Sequence, residues 1–544
     1  MNAHDLPPAA AGSPAPRSEA EPAQSTPPVF PLPVPWRGWV LARRLSQLFF
    51  FLLFLIFFLQ ATYRGEDRLS WPVDLFFRFD PLLLLEHALA SGSIVPRLLL
   101  SLFFVGLTLV VGRFFCGWIC PLGTTLDGCR RLWQRTAPDP PLVFRLRRVK
   151  YYLLFFLLGA AVFQVNLAGL LDPLSLLFRT LATIIYPALS YGLEESFAKA
   201  YDWGPPLTYI SEPVYGYLKD TILPFRRPVF LLPLLTLTIF LTIVGLERVA
   251  PRFWCRSLCP LGALYGLVAR FAWLRKRPVK LCPDCGDCQP VCKMGAIHAE
   301  EVPRHQSAAC ILCLDCQEHC PKDRVAFRFG SKAPRPALDL GRRQVITAAA
   351  AGVVAVPFLR LGSLAHRPDE FLLRPPGVTS EADFLAQCVR CGLCFKVCPT
   401  GALQPLGWEQ GLDGLYTSRL VPRLGYCEYN CTLCSQVCPT GAIPALPLEV
   451  KQASPMGTAF INRYRCIPYT EGRDCLVCEE HCPTAPKAIG FNTAEVADLH
   501  GKKVLVKLPV VNPEQCIGCG ICENKCPVGG EAAIRVKRSL RLEM

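Results

Sequence analysis

No Cys-x-x-Cys-His occurs in this chain, so covalent attachment of a c-type haem is excluded. No long apolar run follows residue 359, so the last third reads as an aqueous module. Residues 1–35 have almost no apolar clustering. They carry no expected signal peptide and read as a disordered Pro/Ala/Ser tail. The spacing of two separated cysteine pairs that zinc sites use is also missing from the main cysteine runs, which pack four cysteines into eleven residues.

The chain does have 544 residues, a net charge of +15 and 29 cysteines. That length predicts several domains. Much of the positive charge flanks apolar segments, which points to membrane topology and not to nucleic acid. Leu45–Ala61, Ile94–Val111, Tyr151–Leu171 and Val229–Leu246 are long and apolar enough to predict four spans. Arginines precede the first span, and dense basic stretches follow the second and fourth. The N-terminus, the 113–150 loop and the chain after 247 are therefore expected in the cytoplasm.

The membrane part repeats itself. Asp80-Pro81-Leu82 follows the first span and Asp172-Pro173-Leu174 the third. Arg113-x2-Cys116-x3-Cys120-Pro-Leu-Gly follows the second, and Arg252-x2-Cys255-x3-Cys259-Pro-Leu-Gly the fourth. Both cysteine pairs are expected on one side. They are open to three readings: a thiol/disulfide site, ligands of a further metal, or structural thiols at helix ends. The longer connection from 171 to 228 in the second copy reads as short helices and turns.

Twenty-four cysteines form six quartets. Cys282, Cys285, Cys288, Cys292 and Cys310, Cys313, Cys316, Cys320 have the Cys-x2-Cys-x2-Cys-x3-Cys run of cubane ferredoxins. Three thiolates of each run fit one cube and the fourth reaches its neighbour. Cys320 is thus expected with Cys282, Cys285 and Cys288, and Cys292 with Cys310, Cys313 and Cys316. Cys388, Cys391, Cys394, Cys398 and Cys516, Cys519, Cys522, Cys526 repeat this spacing. Cys427, Cys431, Cys434, Cys438 and Cys466, Cys475, Cys478, Cys482 are stretched versions. Six quartets predict six [4Fe–4S] clusters, and moving single electrons is their evident use.

Between the two cysteine-rich halves lies Gly341–Leu359, a paired arginine before a mild apolar run. It is expected to be a twin-arginine export signal or a short fifth span, with Ser363 and Ala365 as a small-x-small cleavage site. The expected organisation is a tail (1–35), a four-span domain (36–280), a two-cluster domain (281–330), a signal or anchor (341–365) and a four-cluster domain (380–535). The fold class is an internally duplicated α-helical membrane bundle plus α+β ferredoxin-like domains.

On these motifs, residues 36–330 resemble the NapH membrane ferredoxins and the C-terminal part of NosR. Residues 341–534 resemble the NapG and MauM ferredoxins. The resemblance implies a quinol dehydrogenase of the bacterial cell membrane that relays electrons to a periplasmic oxidoreductase or cytochrome. The first two clusters would lie in the cytoplasm and the last four outside. A redox-sensing or maturation role for a respiratory metalloenzyme is the alternative. The resemblance also implies a ligand exchange in which Cys526 completes the Cys388 set, Cys398 the Cys516 set, Cys482 the Cys427 set and Cys438 the Cys466 set. Asp80, Glu86, His87 and Asp172 are expected near a membrane edge, as solvated side chains or as proton acceptors for quinol, with His87 the candidate. Some group must also carry electrons over about 30 Å of hydrocarbon between the two halves.

Overall fold

The computed structural model describes residues 36–130, 140–202, 204–278, 288–298, 304–320, 325–330, 340–360 and 369–538. The 1–35 tail, Cys282, Cys285, Ser363 and Ala365 lie outside the described residues.

Trp36–Gln60 is one 25-residue helix, built from an almost uncharged Leu/Phe run. Leu41, Leu45, Leu48, Leu52 and Ile56 are exposed along one face at three- and four-residue spacing. Arg43, Gln47, Phe54, Phe57 and Phe58 are buried on the other. A helix with an apolar exposed stripe and a mixed buried face is what lipid on one side and protein on the other select.

Among the described residues three helices are long and apolar enough to cross a membrane: Gly38–Gln60, Pro173–Asp202 and Arg342–Leu359. The expected set of four differs from this. The second expected span is a 3-10 turn, Pro96–Leu100, running into Ser101–Val111. The third ends at Ala161 after 13 residues, and the fourth is the 13-residue helix Pro233–Gly245. The connection read as short helices and turns instead contains Pro173–Asp202 and Pro205–Thr221. Asp172 starts the first of these, its side chain accepting the Ser175 N–H at 2.7 Å with Pro173 in the first turn. A π turn at Leu181–Ile185 sits just before Pro187 and carries the helix through it.

The duplication is visible in three dimensions. Asp80 caps Pro81–Ser91 as Asp172 caps its helix. Short helices Phe114–Trp118 and Phe253–Ser257 each lead through a cysteine into Pro121–Arg130 and Pro260–Ala269. Arg342–Leu359 packs along Val149–Ala161. A Cβ on Gly352 would run into the Phe156 carbonyl, and one on Gly159 into that of Ala349, so these small residues set the approach of the two helices.

The cysteine-rich units are built from short helices and two-stranded antiparallel sheets. Leu274–Pro278 pairs with Val325–Phe329, Leu403–Pro405 with Ser418–Leu420, and Thr458–Ile461 with Ile534–Lys537. Ile489–Ala497 and Lys503–Val511 form a long hairpin. Asp498 closes its turn by accepting the His500 and Lys502 N–H groups.

The two units grip opposite ends of one helix. Near its start, Arg43 donates to Asp315 at 2.9 Å. Near its end, the Lys396 ammonium sits 4.9 Å from the Phe58 ring centre. Fifteen helical residues separate these contacts, a rise of about 22 Å.

Candidate cluster sites

In the five runs whose first three thiols are described, those three gather with a fourth thiol from another run. Cys313 lies beside Cys310, Cys316 and Cys292. Cys388, Cys391 and Cys394 line one small cavity with Cys438. Cys427, Cys431 and Cys434 gather round Cys398. Cys466, Cys475 and Cys478 line a cavity with Cys526, and Cys516, Cys519 and Cys522 one with Cys482.

This corrects the exchange implied by resemblance. Cys438 completes the Cys388 set, Cys398 the Cys427 set, Cys526 the Cys466 set and Cys482 the Cys516 set. Partners are successive runs, not outer with outer and inner with inner. The cause is local: Leu393–Val397 packs on Leu433–Gln436, and Val477–Glu480 on Ile521–Lys525. Each pair of helices brings the last cysteine of one run to the first three of the other.

The sets form a line. Cys394 lies beside Cys434, Cys427 beside Cys519, and Cys522 beside Cys478. A Cys427 N–H bond to the Cys519 carbonyl at 2.9 Å ties the two middle sets together. Burial pushes the Cys427 thiol up to about 11 and the Cys478 thiol up to about 12. Thiolates in such apolar shells need a cation close by, which iron provides on binding. Among the described residues no disulfide forms, and no three Cys, His, Asp or Glu side chains gather tightly enough for a single ion. A multi-iron core suits that wider spacing better than zinc does.

The Cys388 end of the line meets the apolar helix bundle closely. Arg179 donates to the Arg390 carbonyl at 2.9 Å and lies 4.5 Å from the Tyr416 ring centre. A Cβ on Gly169 would run into the Val389 carbonyl. Beside this contact, Thr62, Tyr63, Tyr186, Phe225, Lys396 and Cys398 line a further cavity. The Lys396 ammonium sits 3.5 Å from the Tyr186 ring centre and bonds Thr62. Burial, and then Arg64, hold its pKa well below the usual lysine range.

Asp80, Glu86, His87 and Asp172 are buried, not solvated at an edge. Their partners explain this. Asp80 and Asp172 cap helices inside the bundle, Glu86 accepts the Ala168 N–H at 2.8 Å, and the His87 ring bonds Ser91 at 3.2 Å. His87 does not line the cavity at Lys396. Several arginines read as topology signals are likewise internal: Arg43, Arg113, Arg252 and Arg256 are all buried.

Sequence reading left Cys116, Cys120, Cys255 and Cys259 as two pairs. Their thiols lie close enough to act on one another electrostatically.

Comparison with known proteins agrees with this chemistry. The "4Fe-4S dicluster domain" description matches residues 387–442, and "4Fe-4S binding domain" matches 509–530. A second "4Fe-4S binding domain" description matches 94–138 and 232–280. The chain is 36% identical over 207 residues to the methylamine utilization ferredoxin-type protein MauM of Paracoccus denitrificans, covering 36% of this chain and 89% of that protein. It is 33% identical over 204 residues to the ferredoxin-type protein NapG of Escherichia coli, covering 36% and 85%. It is 27% identical over 266 residues to the putative electron transport protein YccM of Escherichia coli, covering 47% and 62%. No solved structure matches. Over a little more than a third of its length, the chain belongs to the ferredoxin-type iron–sulfur protein family of MauM and NapG.

Proposed function

We propose that this protein is a membrane relay that takes electrons from quinol and passes them to an oxidoreductase on the periplasmic side. The observation that carries this reading is the docking of two cysteine-rich units on opposite ends of the Trp36–Gln60 helix. A soluble electron carrier has no need of a bundle with an exposed apolar face between its two halves. Iron–sulfur electron transfer is the family's chemistry; the quinol donor and the periplasmic acceptor are the step added here.

In this reading the quartet cysteines hold six clusters, in the sets that the fold brings together. Clusters supply one-electron steps; the protein holds them in line and keeps water from them. The cavity at Thr62, Tyr186 and Lys396 is the better quinol site than His87, because its wall includes Cys398 of the second set. Oxidation of a quinol there releases two electrons and two protons. The line of sets ends at Cys466, beside Tyr464, which is 94% exposed. That end is where an acceptor would dock. The Arg342–Leu359 helix serves as an uncleaved span, since it packs against Val149–Ala161 along its length.

The test uses the full chain, purified without oxygen and placed in liposomes containing a reduced quinone. Quinol should reduce the clusters, seen by electron paramagnetic resonance, and an added periplasmic acceptor should reoxidise them with sustained turnover. Clusters that cycle with chemical reductants but never with quinol would sink the relay and favour a sensing or maturation role.

A further inference from the structure

We propose that Cys116, Cys120, Cys255 and Cys259 together hold one further [4Fe–4S] cluster, shared between the two halves of the membrane bundle. No quartet cysteine takes part. Each repeat contributes two thiols, and the duplication brings all four within electrostatic reach of one another, three of them buried and Cys116 half-buried.

The local geometry is that of ligands. Cys259 caps the Pro260–Ala269 helix, and its sulfur accepts the Gly262 N–H at 3.2 Å. Cys120 has the same place before Pro121–Arg130, with the Gly123 N–H as its donor. N–H groups directed at the sulfurs offset part of what burial costs a thiolate there. The arginines cross over between repeats. Arg252 donates to the Cys116 and Gly123 carbonyls at 2.9 and 3.2 Å, while Arg113 reaches the Cys116 sulfur at 3.8 Å and lies against Gly262.

Charge gives an independent argument. Arg252 is neutralised by Asp127, to which it donates twice, at 2.8 and 3.0 Å. Arg113 is 0% exposed and Lys150 is 4% exposed, and no carboxylate among the described residues pairs with either. The Arg113 Nε has no hydrogen-bond partner. A buried guanidinium with no anion beside it is costly. Four thiolates on a cubane core bring a net charge of about −2, which offsets Arg113 and favours the charged form of Lys150. Purely structural thiols leave Arg113 uncompensated.

The surroundings suit a redox centre. Phe115, Trp118, Trp254 and Tyr265 pack round the thiols, with the Phe115 and Tyr265 ring centres 5.5 Å apart. The iron–sulfur description at 94–138 and 232–280 spans both cysteine pairs and contains none of the twenty-four quartet cysteines.

Position gives the centre its use. On one side the Arg113 guanidinium bonds the Ala308 carbonyl at 3.3 Å and the Trp118 indole bonds that of Leu312 at 3.1 Å, on the Cys310 loop. On the other, Tyr265 neighbours Asp80 and Asp172, and Arg179 neighbours both Asp172 and Cys391. A cluster here accepts one electron from one neighbouring set and passes it to the other, through protein and not through lipid.

The test counts metal in the full chain, purified without oxygen in detergent. Cys255→Ser, alone and with Cys116→Ser, should lose about four iron and four sulfide per chain relative to wild type. Electron paramagnetic resonance signals of the other clusters should survive. Cys129→Ser, which removes a cysteine outside the set, should lose none. Because a variant can misfold, iron in the wild type is counted by Mössbauer spectroscopy as well: about 28 per chain is expected for seven cubanes. About 24 iron in wild type, or unchanged iron in the folded Cys255→Ser protein, overturns the proposal. Neither readout uses quinol, so failure of the relay and failure of this centre are distinguishable.

Discussion

Cys438 lies fifty residues from Cys388 in sequence yet lines the same cavity. Cys391→Ser and Cys438→Ser should therefore extinguish the same resonance signal, whereas Cys526→Ser should extinguish that of the Cys466 set. Loss of different signals in the first two variants would show that the sets are wrongly drawn. A second residue-scale prediction concerns Asp127. It takes two of the four hydrogen bonds that the Arg252 guanidinium donates and is its only carboxylate partner among the described residues. Asp127→Ala leaves a buried guanidinium unpaired and should lower stability by about 3–5 kcal/mol. Thermal unfolding in detergent reads this directly, and a change under about 1 kcal/mol means that the arginine finds another anion. The burial of these arginines was not legible in the sequence, because a basic residue after an apolar run looks the same whether it faces water or a buried carboxylate.

Helices Arg342–Leu359 and Val149–Ala161 meet through glycine, and that contact decides whether the joint stays in the bundle. Gly352→Leu places a side chain against the Phe156 backbone. The helices should separate, with faster proteolysis after residue 360 and no loss of iron from the distant Cys466 set. Unchanged proteolysis would mean that the two helices do not depend on each other. Gly169→Ala is the matching test at the ferredoxin contact: a methyl group there meets the Val389 carbonyl. Reduction of the four-cluster unit by quinol should slow by tenfold or more, while its reduction by dithionite is unchanged. Equal quinol rates would place the electron entry elsewhere. The sequence marked the apolar cores of these elements correctly, but not their ends. Gln164 at positive φ, and the turn before it, cut the third expected span short. Pro187 hid the long helix that follows Asp172, because a proline in a periodic run ordinarily ends it.

Across the molecule, the proposed relay requires that the two cysteine-rich units face different compartments. An alkaline phosphatase fusion after residue 380 should be active outside the cell membrane, and a fusion after residue 330 should be inactive. Activity of neither fusion would put all the clusters in the cytoplasm and turn the relay toward a soluble reductase. The contacts at Arg43 and Phe58, about 22 Å apart along one helix, give this test its physical basis. They also account for the burial of Arg43 and Phe58 on one face of the helix, each covered by a different unit, while Leu41 to Ile56 stay exposed on the other.

Cluster chemistry was determined by the sequence alone. Four cysteines in so few residues leave little freedom, and a closed loop of a few residues forces three thiols to one side whatever surrounds it. The duplication was equally legible, since an exact spacing repeats. Which fourth thiol completes which set was decided only in three dimensions, because a residue thirty or fifty positions away can approach any of several loops and helix packing selects one. The meeting of Cys116 and Cys120 with Cys255 and Cys259 belongs to the same class. Each pair is uninformative by itself, and only the packing of one repeat against the other, with Arg113 and Lys150 trapped beside them, gives the four thiols a common purpose.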